Sequence, residues 1–276
     1  MRIGLNDEKA IPHSSPAEWA EKLKSLGFSA ASFPVDYTAP DAVIDAYAKA
    51  AADYDILISE VGAWCSPFAK DPAIRAASKE RIYRQLELAD YIHAVCCTNV
   101  SGAFGDGWPL CYAENFGQNA WDENVAFMQE LLDTVRPQHT VYTLEPMQWM
   151  IPDSPEQYLD FIRAVNRDSL KVHLDVCNFV KDPYTYTHQD ELIDRTFDLL
   201  GDLTVSCHLK DVILDPGITV SIHETILGTG VFPAKHYLDR IAQLGNVAVM
   251  LEHLPDLASY EKALAYAKSI YTFEEP

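Results

Sequence analysis

Basic residues are scarce in this chain: 21 Lys and Arg stand against 41 Asp and Glu, a formal net charge of −20. A surface of that sign repels phosphate backbones and anionic lipid, so it argues against nucleic acid and membrane as partners. Cysteine motifs are missing as well. Cys65, Cys96, Cys97, Cys111, Cys177 and Cys207 form no CxxC pair, and several lie in strand-like runs such as HAVCCTN and VSCHL. They read as free thiols of a reducing cytoplasm, which is the expected compartment. No apolar run approaches the roughly 18 residues of a membrane span. The opening MRIGLNDEKA has no apolar signal core. No GxGxxG follows the first strand-like run, and neither GxSxG nor HExxH occurs. Dinucleotide-binding, serine-hydrolase and zincin chemistry therefore have no motif to stand on.

What the chain does have is alternation. Arg2–Leu5, Ala30–Phe33, Ile56–Val61, His93–Thr98, Thr140–Leu144, Leu170–Leu174, Leu203–Cys207 and Val247–Leu251 read as eight strands. Helical segments separate them. The first and fifth open on Ser15-Pro16-Ala17-Glu18 and Ser154-Pro155-Glu156-Gln157, capping-box patterns with proline in the first turn. The others are Asp41–Tyr54, Asp71–Asp90, Trp121–Val135, Glu191–Leu200, Pro233–Leu244 and Ser259–Tyr271. Strict alternation implies a parallel sheet with crossover helices. Eight such units in 276 residues suit a closed α/β barrel, a (β/α)8 TIM barrel forming one domain over residues 1–276. Two stretches break the pattern. SGAFGDGWPLCYAENFGQNA reads as a long loop after strand four, and a loop of about twenty residues runs from strand seven to Gly230, long enough for a lid or site loop.

The chemistry gathers behind the last four strands. VYTLEP, VHLDVCN, LTVSCHLKD and AVMLEHLP each deliver one polar residue just past an apolar run: Glu145, Asp175, His208 and Glu252. In such barrels the site forms at the C-terminal ends of the strands, and strands five to eight are neighbours. Three carboxylates and one imidazole at one point suit a divalent ion, with Mn²⁺ first and Mg²⁺, Co²⁺ or Zn²⁺ as alternatives. Residues two apart on a strand share a face, so Thr143, His173 and Lys210 should point inward with them. His173 either orients a ligand or fills the core. Lys210 either holds a substrate oxygen or pairs with Asp211. Asn178 and Asn99 are candidate substrate contacts. Trp64, Trp108 and Trp149 follow strands three, four and five and could wall a sugar pocket.

The stretches YTLEPMQWM, VHLDVCNFV, SCHLKDV and VMLEHLP, with EVGAW early and GTGVF late, resemble the sugar phosphate isomerase/epimerase group of the xylose isomerase-like TIM barrels. The resemblance runs over essentially the whole chain. It implies that Glu145, Asp175, His208 and Glu252 are metal ligands, and that Glu145 and Glu252 also exchange protons, as in ketose 3-epimerases. Two positions depart from those epimerases. Asn178 stands where they carry His, and Lys210-Asp211 stands near where they carry Arg. Both departures bear on substrate more than on metal.

The expected activity is thus a metal-dependent isomerase or epimerase of a sugar or keto-sugar derivative, working through an enediolate with Glu145 and Glu252 as acid/base pair. A lyase that cleaves a 3-keto-glycoside by elimination would use the same groups. A non-catalytic sugar-binding barrel would need a damaged ligand set. An abasic-site endonuclease of this fold would need more histidines, and the negative charge opposes it. A small carbohydrate is the expected partner, with a homo-oligomer compatible. Few basic residues map to the rim, so a phosphorylated substrate is disfavoured.

Overall fold

Short, doubly buried strands and amphipathic helices assemble here into a closed barrel. The structure, a computed structural model, describes residues 1–7 and 10–274. Barrel strands β1 (Ile3–Leu5), β2 (Ala30–Ser32), β3 (Leu57–Gly62), β4 (Cys96–Asn99), β5 (Val141–Leu144), β6 (Leu170–Leu174) and β7 (Thr204–Leu209) close through the last strand, Ala248–Leu251. Every neighbouring pair is parallel, and the last strand sits between β7 and β1. All strand ends of one sense therefore meet at one rim. Along β5 the alternation sends Tyr142 and Leu144 out against the helices and Thr143 and Glu145 inward. All four are buried, as expected of a sheet covered on both faces.

The helices begin where serine and proline place them. Ser15 Oγ accepts the Glu18 N–H at 3.2 Å, with Pro16 in the first turn. Ser154 does the same for Gln157 at 3.4 Å. The return half of each capping box lands one residue earlier than the motif implies. The Glu18 carboxylate accepts from Ser14 N–H at 2.7 Å, and Gln157 Oε1 from Asp153 N–H at 2.9 Å. The first helix ends on Gly27 at φ +94°, a left-handed cap that suits glycine.

One of the two long loops needs correction. The stretch from strand seven to Gly230 is no irregular loop. Strand β7 runs on to Leu209, and β8 (Asp211–Asp215) and β9 (Ser221–Thr225) then form an antiparallel hairpin, which makes the last barrel strand β10. Asp215-Pro216-Gly217 between two short apolar alternations is the turn signal for it. The other long stretch, after β4, stays irregular except for a 3₁₀ turn at Ala113–Asn115 and its last three residues, which already open the helix Gln118–Val135. Asn115 ties it down by accepting from Phe104 N–H at 2.8 Å and donating to the carbonyls of Leu110 and Trp149 at 3.0 Å.

Among the described residues no helix is long and apolar enough to cross a membrane. Cys96, Cys97, Cys177 and Cys207 are buried. Burial holds the Cys97 thiol well above its usual value, so it is no nucleophile.

Candidate metal and acid/base site

At the rim, β5, β6, β7 and β10 lie side by side, and a residue within one position of each end turns inward. Ligand atoms of Glu145, Asp175, His208 and Glu252 lie within 4.8 Å of one another, and all four side chains are buried. The ladder itself sets Glu145, whose N–H continues the β4–β5 pairing by donating to Asn99 O at 2.8 Å.

His208 is the hub. Its Nδ1 lies 2.9 Å from Glu252 Oε2 and 3.4 Å from Glu145 Oε1. Burial opposes charge on this ring, but Glu252, Glu60 and Glu145 outweigh it and hold its pKa well above the usual histidine value. His173 shows the opposite balance. Burial first, and then the neighbouring His208, keep it well below that value. The two rings meet edge to face, centroids 4.0 Å apart. Burial and the charge of Glu252 raise Glu145 to about 7. Burial works the same way on Glu252, but His208 and Lys210 override it and hold Glu252 well below the carboxylate range.

Lys210 joins the cluster. Its ammonium lies 2.8 Å from Asp175, 3.0 Å from Glu252 and 2.7 Å from Glu224 of the hairpin. It makes an ion pair, then, but Asp211 is not its partner. The Asp211 carboxylate instead accepts the backbone N–H groups of Val212, Gly228, Gly230 and Phe232 at 2.8–2.9 Å. A Cβ on Gly230 would stand 2.3 Å from Asp211 Oδ1, so the turn needs glycine there. Asp211 thus pins the hairpin base and leaves Lys210 to the site.

Above this floor opens a cavity of about 810 Å³, within the size range of small-molecule sites. Trp64, Trp108, Trp149 and Asn178 line it together with Glu145 and Glu252, and no Lys or Arg is among the described lining residues. Trp108, Trp149, Trp64, Met147 and Met150 share one apolar cluster with Val100. Asn178 donates to Glu145 Oε1 at 2.8 Å. Asn99 is used otherwise. Its amide accepts from Cys65 N–H and donates to Cys65 O, both at 3.1 Å, so it staples the Trp64 loop and lines no wall. His173 lies below the floor, away from the cavity. Trp64 and His253 sit at φ +28° and +54°, left-handed backbone beside the site, where strain of this kind concentrates.

The sequence reading missed four neighbours: Asn6, Glu60, Glu224 and His253. Asn6 Nδ2 lies 3.0 Å from His208 Nε2. Glu60, inside β3, lies 3.3 Å from the same nitrogen. Glu224 reaches His253 Nδ1 at 2.9 Å as well as Lys210. Glu60 carried a readable signal, being the one charged residue in the run ILISEVG, since a buried acid is seldom unpaired.

The donor set fits a divalent cation. Asp175 is fully buried, yet neither of its oxygens has a hydrogen-bond partner among the described residues. Its contact with Lys210 is one of charge without hydrogen-bond alignment, and so is that of Glu252 Oε2. Buried oxygens this close and this poorly satisfied suit cation coordination.

Comparison with known proteins agrees with this architecture. The sequence profile of the xylose isomerase-like TIM barrels matches residues 20–270. No curated protein matches by sequence. A xylose isomerase-like TIM barrel protein from Mycobacterium smegmatis, in complex with magnesium, superposes with TM-score 0.70 at 17% identity, over 98% of this chain and 96% of that one. D-psicose 3-epimerase with D-tagatose, from Clostridium cellulolyticum, gives TM-score 0.70 at 16% identity, over 98% and 99%. A probable 3-DHS dehydratase involved in petrobactin synthesis, from Bacillus anthracis, gives 0.74 at 13%, over 99% and 100%. At these identities the likeness is one of fold.

Proposed function

This chain belongs to the xylose isomerase-like TIM barrel family, and we propose that it is a divalent-metal-dependent isomerase or epimerase of an uncharged sugar or keto-sugar derivative. The placement of Glu145 and Glu252 carries the reading. They come from β5 and β10, which two further strands separate. Both line the cavity, and His208 Nδ1 lies between them. Two carboxylates on either side of a bound molecule are what a proton transfer from one position to another requires.

Glu145, Asp175, His208 and Glu252 would hold the ion, with Mn²⁺ the first choice for an oxygen-rich set and Mg²⁺, Co²⁺ or Zn²⁺ as alternatives. When bound, it would polarise neighbouring substrate oxygens as a Lewis acid. The chain itself moves the protons. One glutamate takes a proton from the carbon beside the substrate carbonyl, and the other returns one to the opposite face or the adjacent carbon. Among the described residues, both hydrogen bonds that side chains make to Glu145, from Asn178 and His208, fall on Oε1, which leaves Oε2 for this work. The tryptophan wall offers flat apolar faces to a sugar ring. No Lys or Arg is among the described lining residues, which favours a neutral carbohydrate over a phosphorylated one as substrate.

Elimination is the second reading, favoured by Asn178 on Glu145 in place of a histidine. The same abstraction would expel a substituent one carbon further on, as from a 3-keto-glycoside. Incubating the Mn²⁺-loaded protein in D₂O with a panel of ketoses and keto-glycosides separates the two. Deuterium beside the carbonyl without cleavage supports isomerisation, and a released substituent supports elimination. If the loaded protein neither exchanges nor cleaves any member, both readings fail.

A further inference from the structure

We propose that Glu60 is a positioning residue for the metal centre: it accepts the Nε2 proton of His208 and thereby commits Nδ1 to the cation. The inference rests on the metal-centre reading above. It comes from the two faces of one ring. Nδ1 points at Glu145 and Glu252, two of the candidate ligands. Nε2 points the other way, into the barrel, where Glu60 Oε2 lies 3.3 Å away.

A neutral imidazole that gives one nitrogen to a cation carries its proton on the other, and that proton needs an acceptor. Glu60 is the carboxylate in reach. Its second oxygen is held by Ser206 Oγ at 3.4 Å, and Ser206 meets Ser59 Oγ at 3.2 Å. Ser206 precedes His208 by two residues on β7, so one strand face presents both groups to Glu60.

Asn6 also meets Nε2, with its Nδ2 at 3.0 Å, while its Oδ1 accepts from Ser32 Oγ at 2.6 Å. That orientation suits an Nε2 without a proton. Turning the amide presents Oδ1 instead: the Ser32 hydroxyl can accept as readily as donate, but the Nδ2 bond to Glu252 Oε1 at 3.5 Å is given up. Asn6 can thus follow either state of the ring, whereas the Glu60 carboxylate accepts only. Glu60 is the partner that discriminates between them.

A competing use of the same residues is a second cation, since ligand atoms of Glu60, His173 and His208 also lie within 4.8 Å of one another. Neither nitrogen of His173 has a hydrogen-bond partner among the described residues. The positioning role takes precedence because a cation there would compete for the nitrogen that Glu60 and Asn6 already engage.

The test is calorimetric titration of Mn²⁺ into the metal-free full chain at fixed pH, with metal-free melting temperatures alongside. Glu60→Leu should weaken Mn²⁺ binding roughly 10- to 100-fold, the usual cost of losing an outer partner of a ligating histidine. Glu60→Gln keeps a neutral acceptor and should weaken it by only about threefold to tenfold. It also serves as the test if the leucine variant fails to fold. A merely structural Glu60 would move the melting temperature and leave affinity alone, so Mn²⁺ binding within twofold of wild type in the folded variants would overturn the proposal. Two ions per chain in wild type, with one lost in Glu60→Leu, would make Glu60 a ligand and overturn it too. If wild type binds no Mn²⁺, the metal-centre reading fails first and this inference falls with it.

Discussion

Strands β5, β6, β7 and β10 each deliver an ionisable ligand-type side chain within a residue of the strand end, whereas the strands of the other half end on Asn6, Ser32, Gly62 and Asn99, with the acid Glu60 set deeper inside β3. The late half concentrates donors at one point. The early half supplies neutral groups that hold those donors and the tryptophan loops in place. Asn99 staples the Trp64 loop, Asn6 touches His208 and Glu252, and Gly62 leaves room for the Trp64 indole, which a Cβ would meet at 2.0 Å. Chemistry and its support thus occupy opposite sides of one rim, and substitutions should separate them.

The sharpest separation should come from the late half. Glu252→Gln removes the proposed proton carrier with little change of shape, so turnover should fall by roughly 10²- to 10⁴-fold while circular dichroism stays that of wild type. Glu145→Gln should behave alike. Full turnover in either would break the contrast at its strongest point.

Next comes the hairpin base. Asp211→Ala strands four backbone donors, two of them buried at Val212 and Phe232, so chemical denaturation should show a loss of about 3 kcal/mol, with faster amide exchange at Gly228 and Gly230. A loss within about 0.5 kcal/mol, the range of ordinary surface changes, would mean the hairpin is held by other contacts.

The smallest effect belongs to the wall on the early side. Trp108→Ala should raise KM by about fivefold to tenfold with kcat within about twofold, as expected for a face that binds substrate and transition state equally. An equal fall in kcat would place Trp108 in the chemistry.

This asymmetry also explains what the sequence made legible. Strict strand–helix alternation pointed to the barrel, and a polar residue after each late apolar run pointed to the four donors. The early half gave weaker signals because asparagine, serine and glycine at strand ends are common everywhere, and their roles exist only through contacts with distant segments. Glu60 hid inside a strand where a run of apolar neighbours dominates the pattern. The hairpin was masked because Ile222, His223 and Glu224 alternate weakly and β9 is largely exposed. Lys210 was placed on the right face, and of its two readings the pairing with Asp211 fails, since only the fold shows Asp211 reaching Gly228 and Gly230.

The central claim is that these four side chains form one cation centre, and equilibrium dialysis of the metal-free chain against Mn²⁺ addresses it most directly. Wild type should take up one ion per chain, more weakly as the pH is lowered because the donors must shed protons to bind. Asp175→Asn, which removes the donor with the least alternative bonding, should lose that uptake at the same free Mn²⁺ concentration while keeping the fold. Wild type that binds no ion, or Asp175→Asn that binds as tightly as wild type, would contradict the account.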